Sequence, residues 1–235
     1  MEKQIASAYH WRRQGLKICQ LSPSAHNFRV ELNASTDSRF KFHPSPATAQ
    51  DFQLKKHHII PIYDIPIEKV FMFIDNLNDL KNACDVMKCK EEITCDLEGD
   101  FRFTYNTITC LIQMSVDTHD FVIDAIKLYE HITDQLGPIF LNRSIVKIFF
   151  GNVDLAWLQR DFNIFVNSFV DLQNIYDTYN HVEQHSSFAK VVYEFLGIRL
   201  DKTFQRFPWQ MRKIPYEALD YARKDTTFIC GMAIY

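Results

Sequence analysis

The stretch "ITCDLEGDFRF", residues 93–103, ends an apolar, cysteine-containing run in two carboxylates. If residues 93–98 form a β-strand, alternate side chains lie on opposite faces, so Asp96 and Glu98 project from one face, about 7 Å apart. Two neighbouring carboxylates on an apolar strand repel each other and resist burial. Either they lie at a solvated strand edge, or they hold a divalent cation, since hard cations prefer oxygen ligands. A metal site would need further carboxylates from elsewhere in the chain.

The composition indicates one well-packed domain. The chain has 235 residues, of which 47% are hydrophobic. It has no run of about 18 apolar residues and no signal-peptide core, so we expect an intracellular protein without a membrane span. The six cysteines form no CxxC pair, which favours reduced thiols over zinc ligands. The net charge of −3 differs from that of strongly basic nucleic-acid binders without excluding one, because metal-binding carboxylates add negative charge.

The hydrophobic pattern divides the chain into an arm and one α/β domain. Residues 1–67 have no sustained period and are rich in Ser, Pro and Asn, as is typical of an irregular N-terminal arm. Residues 68–235 are predicted to form three adjacent strands, a helix over 128–140, a strand, a helix and a further strand over 162–170, followed mostly by helices. Gly137 and Pro138 are expected to interrupt or end the helix over 128–140. This order predicts a mixed sheet with helices on its faces.

Asp154, Tyr221 and Asp225 are the candidate partners of the two opening carboxylates. Asp154 follows the fourth predicted strand and opens a helix, where α/β folds place their sites; the alternative is an ordinary helix N-cap. The stretch "DYARKD" places Tyr221 and Asp225 four residues apart, on one helix face. The alternative there is a surface helix with a buried tyrosine. Each of these signals is weak by itself.

Taken together and in this order, these residues resemble the DEDD 3′–5′ exonucleases of the branch with a tyrosine in the third motif. The resemblance is greatest to the RNase D-like catalytic domain of the exosome-associated nuclear exoribonucleases. It extends beyond the carboxylates: "DLE" leads into "TCLIQMS", and "DFVIDAIKL", "IVKIFFG", "DLAWLQRDF", "DKTFQRFPWQMRKIP" and "YARKD" follow in the order of the family. It covers about residues 45–235 and implies an RNase-H-like mixed sheet flanked by helices.

The resemblance implies metal-dependent hydrolysis of RNA from its 3′ end, with release of nucleoside 5′-monophosphates. Two Mg²⁺ ions about 4 Å apart, for which Mn²⁺ can substitute, would clamp the attacking and leaving oxygens. Asp96 would bridge both ions, and Glu98, Asp154 and Asp225 would complete the ligand set. Tyr221 would orient the attacking water.

Three further residues have candidate roles around this site. Trp157, one helical turn after Asp154, could stack on the terminal base, or it could be a core aromatic between helix and sheet. Arg212 could contact a phosphate, with a structural ion pair as the alternative. Asp171 is expected to have a structural role or to support a metal ligand.

The chain departs from the family pattern at three positions. Relatives usually have two histidines where this chain has Gly99 and Asp100, and a histidine where it has Phe150. The stretch from Phe150 to Asp154 is also one residue shorter than in the family, although "WLQRDF" fixes the register from its far side. These departures keep open a non-catalytic RNA-binding or scaffold protein with a decayed site. The same chemistry on DNA is the other alternative.

The resemblance also implies partners and a location. The expected partners are single-stranded RNA 3′ ends and the RNA exosome core or its cofactors, with a nuclear location and a cytoplasmic one as the alternative. Larger relatives carry a helical nucleic-acid-binding domain after the nuclease domain, and only ten residues follow Asp225 here, so we expect no such domain. The first ~45 residues are likewise too short for the long N-terminal partner-binding region of the family.

Overall fold

Six strands form one mixed sheet in the computed structural model, which describes residues 69–100 and 107–233. They are β1 (Val70–Ile74), β2 (Glu92–Asp100), β3 (Ile108–Ser115), β4 (His119–Asp124), β5 (Val146–Phe149) and β6 (Phe169–Asp171). Their order across the sheet is β1-β4-β3-β2-β5-β6, and β3 alone runs antiparallel to its neighbours. The predicted mixed sheet is confirmed. The predicted arm over residues 1–67 lies outside the described residues and stays a prediction.

Helices cover both faces of this sheet. Within the described ranges they are α1 (Leu77–Lys88), α2 (Tyr129–Leu141), α3 (Val153–Phe162), α4 (Leu172–Tyr179), α5 (Phe188–Leu196) and α6 (Tyr216–Ala233). Apolar side chains of α1, α2 and α3 pack on one face, whereas α6 crosses β2, β3 and β4 on the other. None of these helices is long and apolar enough to cross a membrane.

The alternation of side chains along β2 decides which face carries the site. Ile93, Cys95 and Leu97 enter the core beneath α1, α2 and α3. The residues between them therefore point to the opposite face, which α6 covers. A hydrogen bond shows this directly, because the Thr94 hydroxyl donates to the carbonyl of Thr226 in α6 at 3.0 Å.

Helix α2 differs from the prediction, because Gly137 and Pro138 neither interrupt nor end it. The helix continues to Leu141. Pro138 has no N–H and removes one helical hydrogen bond. Leu136 and Phe140, on either side of it, are fully buried in the core. Tertiary packing of this apolar face outweighs the local cost of the proline, which is how most helices in proteins are stabilised.

The last strand is shorter than predicted. We expected it over residues 162–170, but α3 extends through Phe162 and ends at Asn163, which adopts a left-handed conformation with φ 53°. Only Phe169–Asp171 pairs with β5. The chain then turns directly into α4, whose first turn Asp171 caps by accepting hydrogen bonds from the backbone N–H groups of Gln173 and Asn174.

Lys147 holds the end of α2 from inside the protein. Its side chain is fully buried in β5. Its Nζ donates to the carbonyls of Asn142 and Ile145 at 2.7 Å each, and lies 3.5 Å from that of Ile139. Burial lowers the pKa of the Lys147 ammonium to about 8. The ammonium therefore replaces the donors that the carbonyls at a helix C-terminus otherwise lack.

Replacing Lys147 should destabilise the fold. Lys147→Met leaves buried carbonyls without a donor, and we expect the free energy of unfolding to fall by about 2 kcal/mol. Urea unfolding measures this change. Lys81→Met, at an exposed position of α1, is the matched control and should change stability by less than about 0.5 kcal/mol. Equal stability of the two variants would contradict the capping role.

Candidate active site

Three carboxylates converge between β2 and α6. Asp96 and Glu98 come from β2 and Asp225 from α6, and one oxygen from each lies within 4.8 Å of the others. All three residues are partly exposed, so the cluster is open to solvent on one side. The two residue pairs predicted from β-strand and helix spacing thus meet at one place. Oxygen ligands at this spacing suit a hard divalent cation.

The register of α6 over the sheet places Asp225 in this cluster. Thr226 is fully buried, and its carbonyl accepts the hydrogen bond from Thr94 of β2. The Thr227 hydroxyl donates to the Asp120 carboxylate of β4 at 3.1 Å. Because both bonds involve the residues directly after Asp225, a slip of the helix along the sheet would break them.

Asp154 joins the cluster through Asp96, with which it shares a hydrogen bond. It is the second residue of α3, and Asn152 is the N-cap of that helix. The alternative in which Asp154 serves as an ordinary N-cap is therefore wrong. The shorter connection after Phe150 still delivers this carboxylate to the site.

Asp171 supports the loop that precedes Asp154. Its buried carboxylate accepts a hydrogen bond from the backbone N–H of Gly151 at 2.8 Å while it caps α4. Gly151 has φ 92°, a conformation that favours glycine. This is the structural role that the sequence suggested for Asp171.

Ionising all four carboxylates together is costly in the absence of a counter-charge. Burial raises the pKa of Asp96, Glu98, Asp154 and Asp225. The charge of Asp96 raises the pKa of the other three further. A bound dication would reverse this balance and favour the ionised carboxylates. The donor set, which consists of oxygens alone, therefore fits divalent metal ions.

Tyr221 lies one helical turn before Asp225. Both residues line one cleft together with Asp96 and Glu98. The half-buried ring of Tyr221 lies between Phe204 and Trp209, at centroid distances of 6.0 and 6.4 Å. Burial, together with the charges of Asp225 and Glu98, raises the pKa of Tyr221. The residue is therefore a neutral phenol at physiological pH, and its hydroxyl is able to donate a hydrogen bond.

Three of the carboxylates, those of Asp96, Glu98 and Asp225, line a cleft of about 260 Å³ together with Tyr221. An aromatic pair lines it as well, because Phe150 and Phe188 meet edge to face at 5.0 Å. Phe150 thus places an apolar ring where family members have a histidine. Lys202 and Gln205 contribute polar groups from the segment before α6. The cleft combines an anionic centre, an apolar wall and a cationic side chain.

Trp157 is not among the residues that line this cleft. Its half-buried ring packs against the core and lies over Gly99, where a Cβ would come within 2.8 Å of Trp157 Cζ3 and 2.1 Å of Thr107 Cγ2. A histidine, as in relatives, would not fit at position 99 without moving these side chains. Stacking of Trp157 on a base stays a prediction.

Arg212 also lies outside the residues that line the cleft. Its Nη2 is 3.4 Å from the buried Asp124 carboxylate, and its Nη1 donates to the carbonyls of Trp209 and Met211. The structure therefore contains the ion pair that was the alternative reading of Arg212. A phosphate contact by Arg212 stays a prediction.

Three cleft residues were not predicted from the sequence: Phe188, Lys202 and Gln205. Phe188 begins α5, where its apolar character is indistinguishable from that of a core residue. Lys202 and Gln205 lie three residues apart in "DKTFQRF", a segment without regular secondary structure. Their place inside a segment that resembles the family was the one signal that could have identified them.

Comparison with known proteins shows a family of exonucleases. The family model described as 3′–5′ exonuclease matches residues 71–232, a range that contains all five candidate catalytic residues. Protein RRP6-like 2 of Arabidopsis thaliana is 31% identical over 204 residues, which cover 85% of this chain and 23% of that protein. Exosome complex exonuclease RRP6 of Saccharomyces cerevisiae is 31% identical over 170 residues, which cover 70% and 22% respectively. The chain thus spans under a quarter of the length of these two relatives.

A solved structure shares the fold. The catalytic core of RRP6 from Trypanosoma brucei is 30% identical, superposes with a TM-score of 0.65, and matches over 81% of this chain and 52% of that one. The agreement covers the mixed sheet and its flanking helices, and it confirms the predicted RNase-H-like fold class. Because the family model spans most of the chain and includes every motif quoted from the sequence, this chain belongs to the 3′–5′ exonuclease family, in its DEDD, RNase D-like group.

Proposed function

We propose that this chain is a metal-dependent 3′–5′ exoribonuclease that releases nucleoside 5′-monophosphates from RNA 3′ ends. The observation that carries the proposal is the convergence of Asp96, Glu98 and Asp225 within 4.8 Å, with Asp154 hydrogen-bonded to Asp96. Membership of the exonuclease family supplies the reaction class. Three carboxylates and Tyr221 line one cleft and Asp154 is hydrogen-bonded to one of them, which favours an active enzyme over a scaffold with a decayed site.

Two divalent cations, Mg²⁺ or Mn²⁺, would be held by the four carboxylates. Asp96 is the residue that they would share, because one of its oxygens lies within 4.8 Å of those of Glu98 and Asp225 and it is hydrogen-bonded to Asp154. When bound, such ions compensate the charge of a phosphodiester and activate water for attack. The protein supplies the charge and the fixed positions of the oxygens.

The side chains around the cleft have separate tasks in this proposal. The Tyr221 hydroxyl orients the water that attacks the terminal phosphodiester. Phe150 and Phe188 provide an apolar surface for the last nucleotide. Lys202 lines the same cleft and offers a positive charge to the phosphate backbone.

Tyr221→Phe tests the water-orienting hydroxyl. It removes one hydroxyl and keeps the ring between Phe204 and Trp209, so packing should barely change. We expect the single-turnover rate to fall about 10²-fold, with metal affinity, RNA affinity and melting temperature nearly unchanged. Tyr216→Phe, at an exposed position of the same helix, is the matched control and should keep the full rate. A full rate with a lowered melting temperature in the Tyr221 variant would remove Tyr221 from the site.

RNA is the proposed substrate, and the RNA exosome core or one of its cofactors the proposed partner. The resemblance to the RNA-processing branch supports the substrate. The similarity to a protein named exosome complex exonuclease supports the partner. A nuclear location is proposed on the same family resemblance.

End-labelled substrates test the reaction and its polarity. Single-stranded RNA and DNA of one sequence, labelled at the 5′ or the 3′ end, are incubated with the protein and Mg²⁺. We expect 3′-labelled RNA to release labelled mononucleotide at once, while 5′-labelled RNA shortens one residue at a time. RNA should react faster than DNA. Release of mononucleotide from the 5′ end would overturn the polarity, and a preference for DNA would overturn the substrate.

A further inference from the structure

The indole N–H of Trp209 is a buried donor that makes no hydrogen bond of full geometry within the described part of the chain. The side chain is 1% exposed, and among the described residues no acceptor lies at hydrogen-bonding geometry to Nε1. Buried polar groups are nearly always hydrogen-bonded. The surroundings are apolar, since the ring packs in a cluster with Cys110, Leu111 and Leu219. A phenylalanine would suit that cluster without leaving a polar atom unpaired.

The N–H group faces the candidate metal ligands. Trp209 packs with Leu111, which pairs directly with Glu98 across β2 and β3, so the indole and the Glu98 carboxylate share one face of the sheet. Trp209 is the side chain in position to donate to the Glu98 carboxylate, and the contact falls short of full hydrogen-bond geometry. The indole N–H is thus the polar group that this apolar cluster presents toward Glu98.

The Trp209 ring also packs against Tyr221. The two rings stack with a centroid distance of 6.4 Å and an angle of 28° between their planes. The Tyr221 hydroxyl is proposed to orient the attacking water. Trp209 therefore shares a face of the sheet with Glu98, a proposed metal ligand, and stacks on Tyr221, whose hydroxyl is proposed to orient the water.

Hydrogen bonds and an ion pair hold the backbone around Trp209 in place. Arg212 donates to the Trp209 carbonyl at 3.3 Å and pairs with Asp124 of β4 at 3.4 Å. The Gln210 N–H reaches the Asp100 carboxylate of β2 at 3.5 Å. These contacts tie an irregular segment to two strands of the sheet. They give Arg212 and Asp100 a shared structural task, which is to fix the position of the indole.

We propose that Trp209 is a positioning residue of the active site, which donates its indole N–H to Glu98 and stacks on Tyr221. The inference rests on the proposed function, because it assigns Glu98 to the metal and Tyr221 to the water. Groups that hydrogen-bond to metal ligands orient them, and their loss commonly weakens metal binding or activity about 10- to 100-fold.

The test separates the N–H group from the ring. In one variant, Trp209 is replaced by β-(3-benzothienyl)alanine, a tryptophan analogue with sulfur in place of the N–H. The second variant is Trp209→Phe. Mn²⁺ affinity is measured by electron paramagnetic resonance without RNA, and the single-turnover rate and melting temperature are measured on the same samples. We expect both variants to bind Mn²⁺ about 10-fold more weakly and to turn over more slowly. The analogue should keep the melting temperature of the wild type.

Phe207→Leu is the matched control, because Phe207 packs edge to face on Trp209 at 5.0 Å and carries no donor. It should lower the melting temperature and leave Mn²⁺ affinity unchanged. Wild-type Mn²⁺ affinity and rate in the folded analogue protein would overturn the role of Trp209 while leaving the proposed function intact. A wild-type protein that neither binds Mn²⁺ nor hydrolyses RNA would overturn both together.

Discussion

Asp96→Asn is expected to abolish hydrolysis while the fold remains intact. Asp96 lies within 4.8 Å of the ligand oxygens of Glu98 and Asp225 and is hydrogen-bonded to Asp154, so its loss removes the ligand that the two proposed ions would share. We expect the rate to fall at least ~10³-fold, which corresponds to about 4 kcal/mol of activation free energy. Because burial raises the pKa of Asp96, removing this charge should leave the metal-free protein as stable as before or slightly more stable. Single-turnover rates and melting temperatures measure the two effects.

The matched comparison lies on α3. Asp154→Asn should be nearly as inactive as Asp96→Asn. Asp161→Asn, on the same helix, should keep its activity, because Asp161 bonds instead to Thr109 and Arg160. An active Asp154 variant beside an inactive Asp161 variant would show that the carboxylate of the second motif is wrongly assigned.

Metal removal is expected to stop hydrolysis and to reveal a pH-dependent instability. Carboxyls in the unfolded chain titrate near pH 4, to within about half a unit. Burial raises the pKa of all four clustered carboxyls in the folded protein, so above that pH the folded state holds more protons than the unfolded one. The contribution of the cluster to stability therefore falls as pH rises through the folded pKa values.

Divalent cations should reverse this loss. Because binding displaces protons from the carboxylates, affinity should rise with pH. Mn²⁺ at 100 times its dissociation constant would add about 2.7 kcal/mol of stability, roughly 5–10 °C in melting temperature. We expect most of that increase at pH 7.5 and little at pH 5. Asp225→Asn should lose it. Hydrolysis that continues in excess chelator, or an equal increase at both pH values, would contradict the metal assignment.

Much of the site could be predicted from the sequence because local geometry brings its residues together in pairs. A period of two places Asp96 and Glu98 on one face of β2, and a spacing of four places Tyr221 and Asp225 on one face of α6. The position of Asp154 after the fourth predicted strand made it a candidate, and family resemblance then linked it to the two pairs. The fold class followed from the order of strands and helices.

The rest depends on contacts between segments distant in sequence. The segment between α5 and α6 has no period, so nothing local indicated that Trp209 stacks on Tyr221 or that Arg212 pairs with Asp124. Helix α2 runs through Gly137 and Pro138 because its apolar face is buried, which local propensity does not include. Asn163, a left-handed helix terminus, likewise ended α3 where we expected a strand.

The four carboxylates are expected to form one metal centre. Anomalous diffraction from crystals grown with saturating Mn²⁺ would locate the ions. We predict two peaks about 4 Å apart in the cleft, one against Glu98 and Asp225, the other against Asp154, with Asp96 shared between them. Peaks confined to other surfaces of the protein, with none at these carboxylates, would contradict the account.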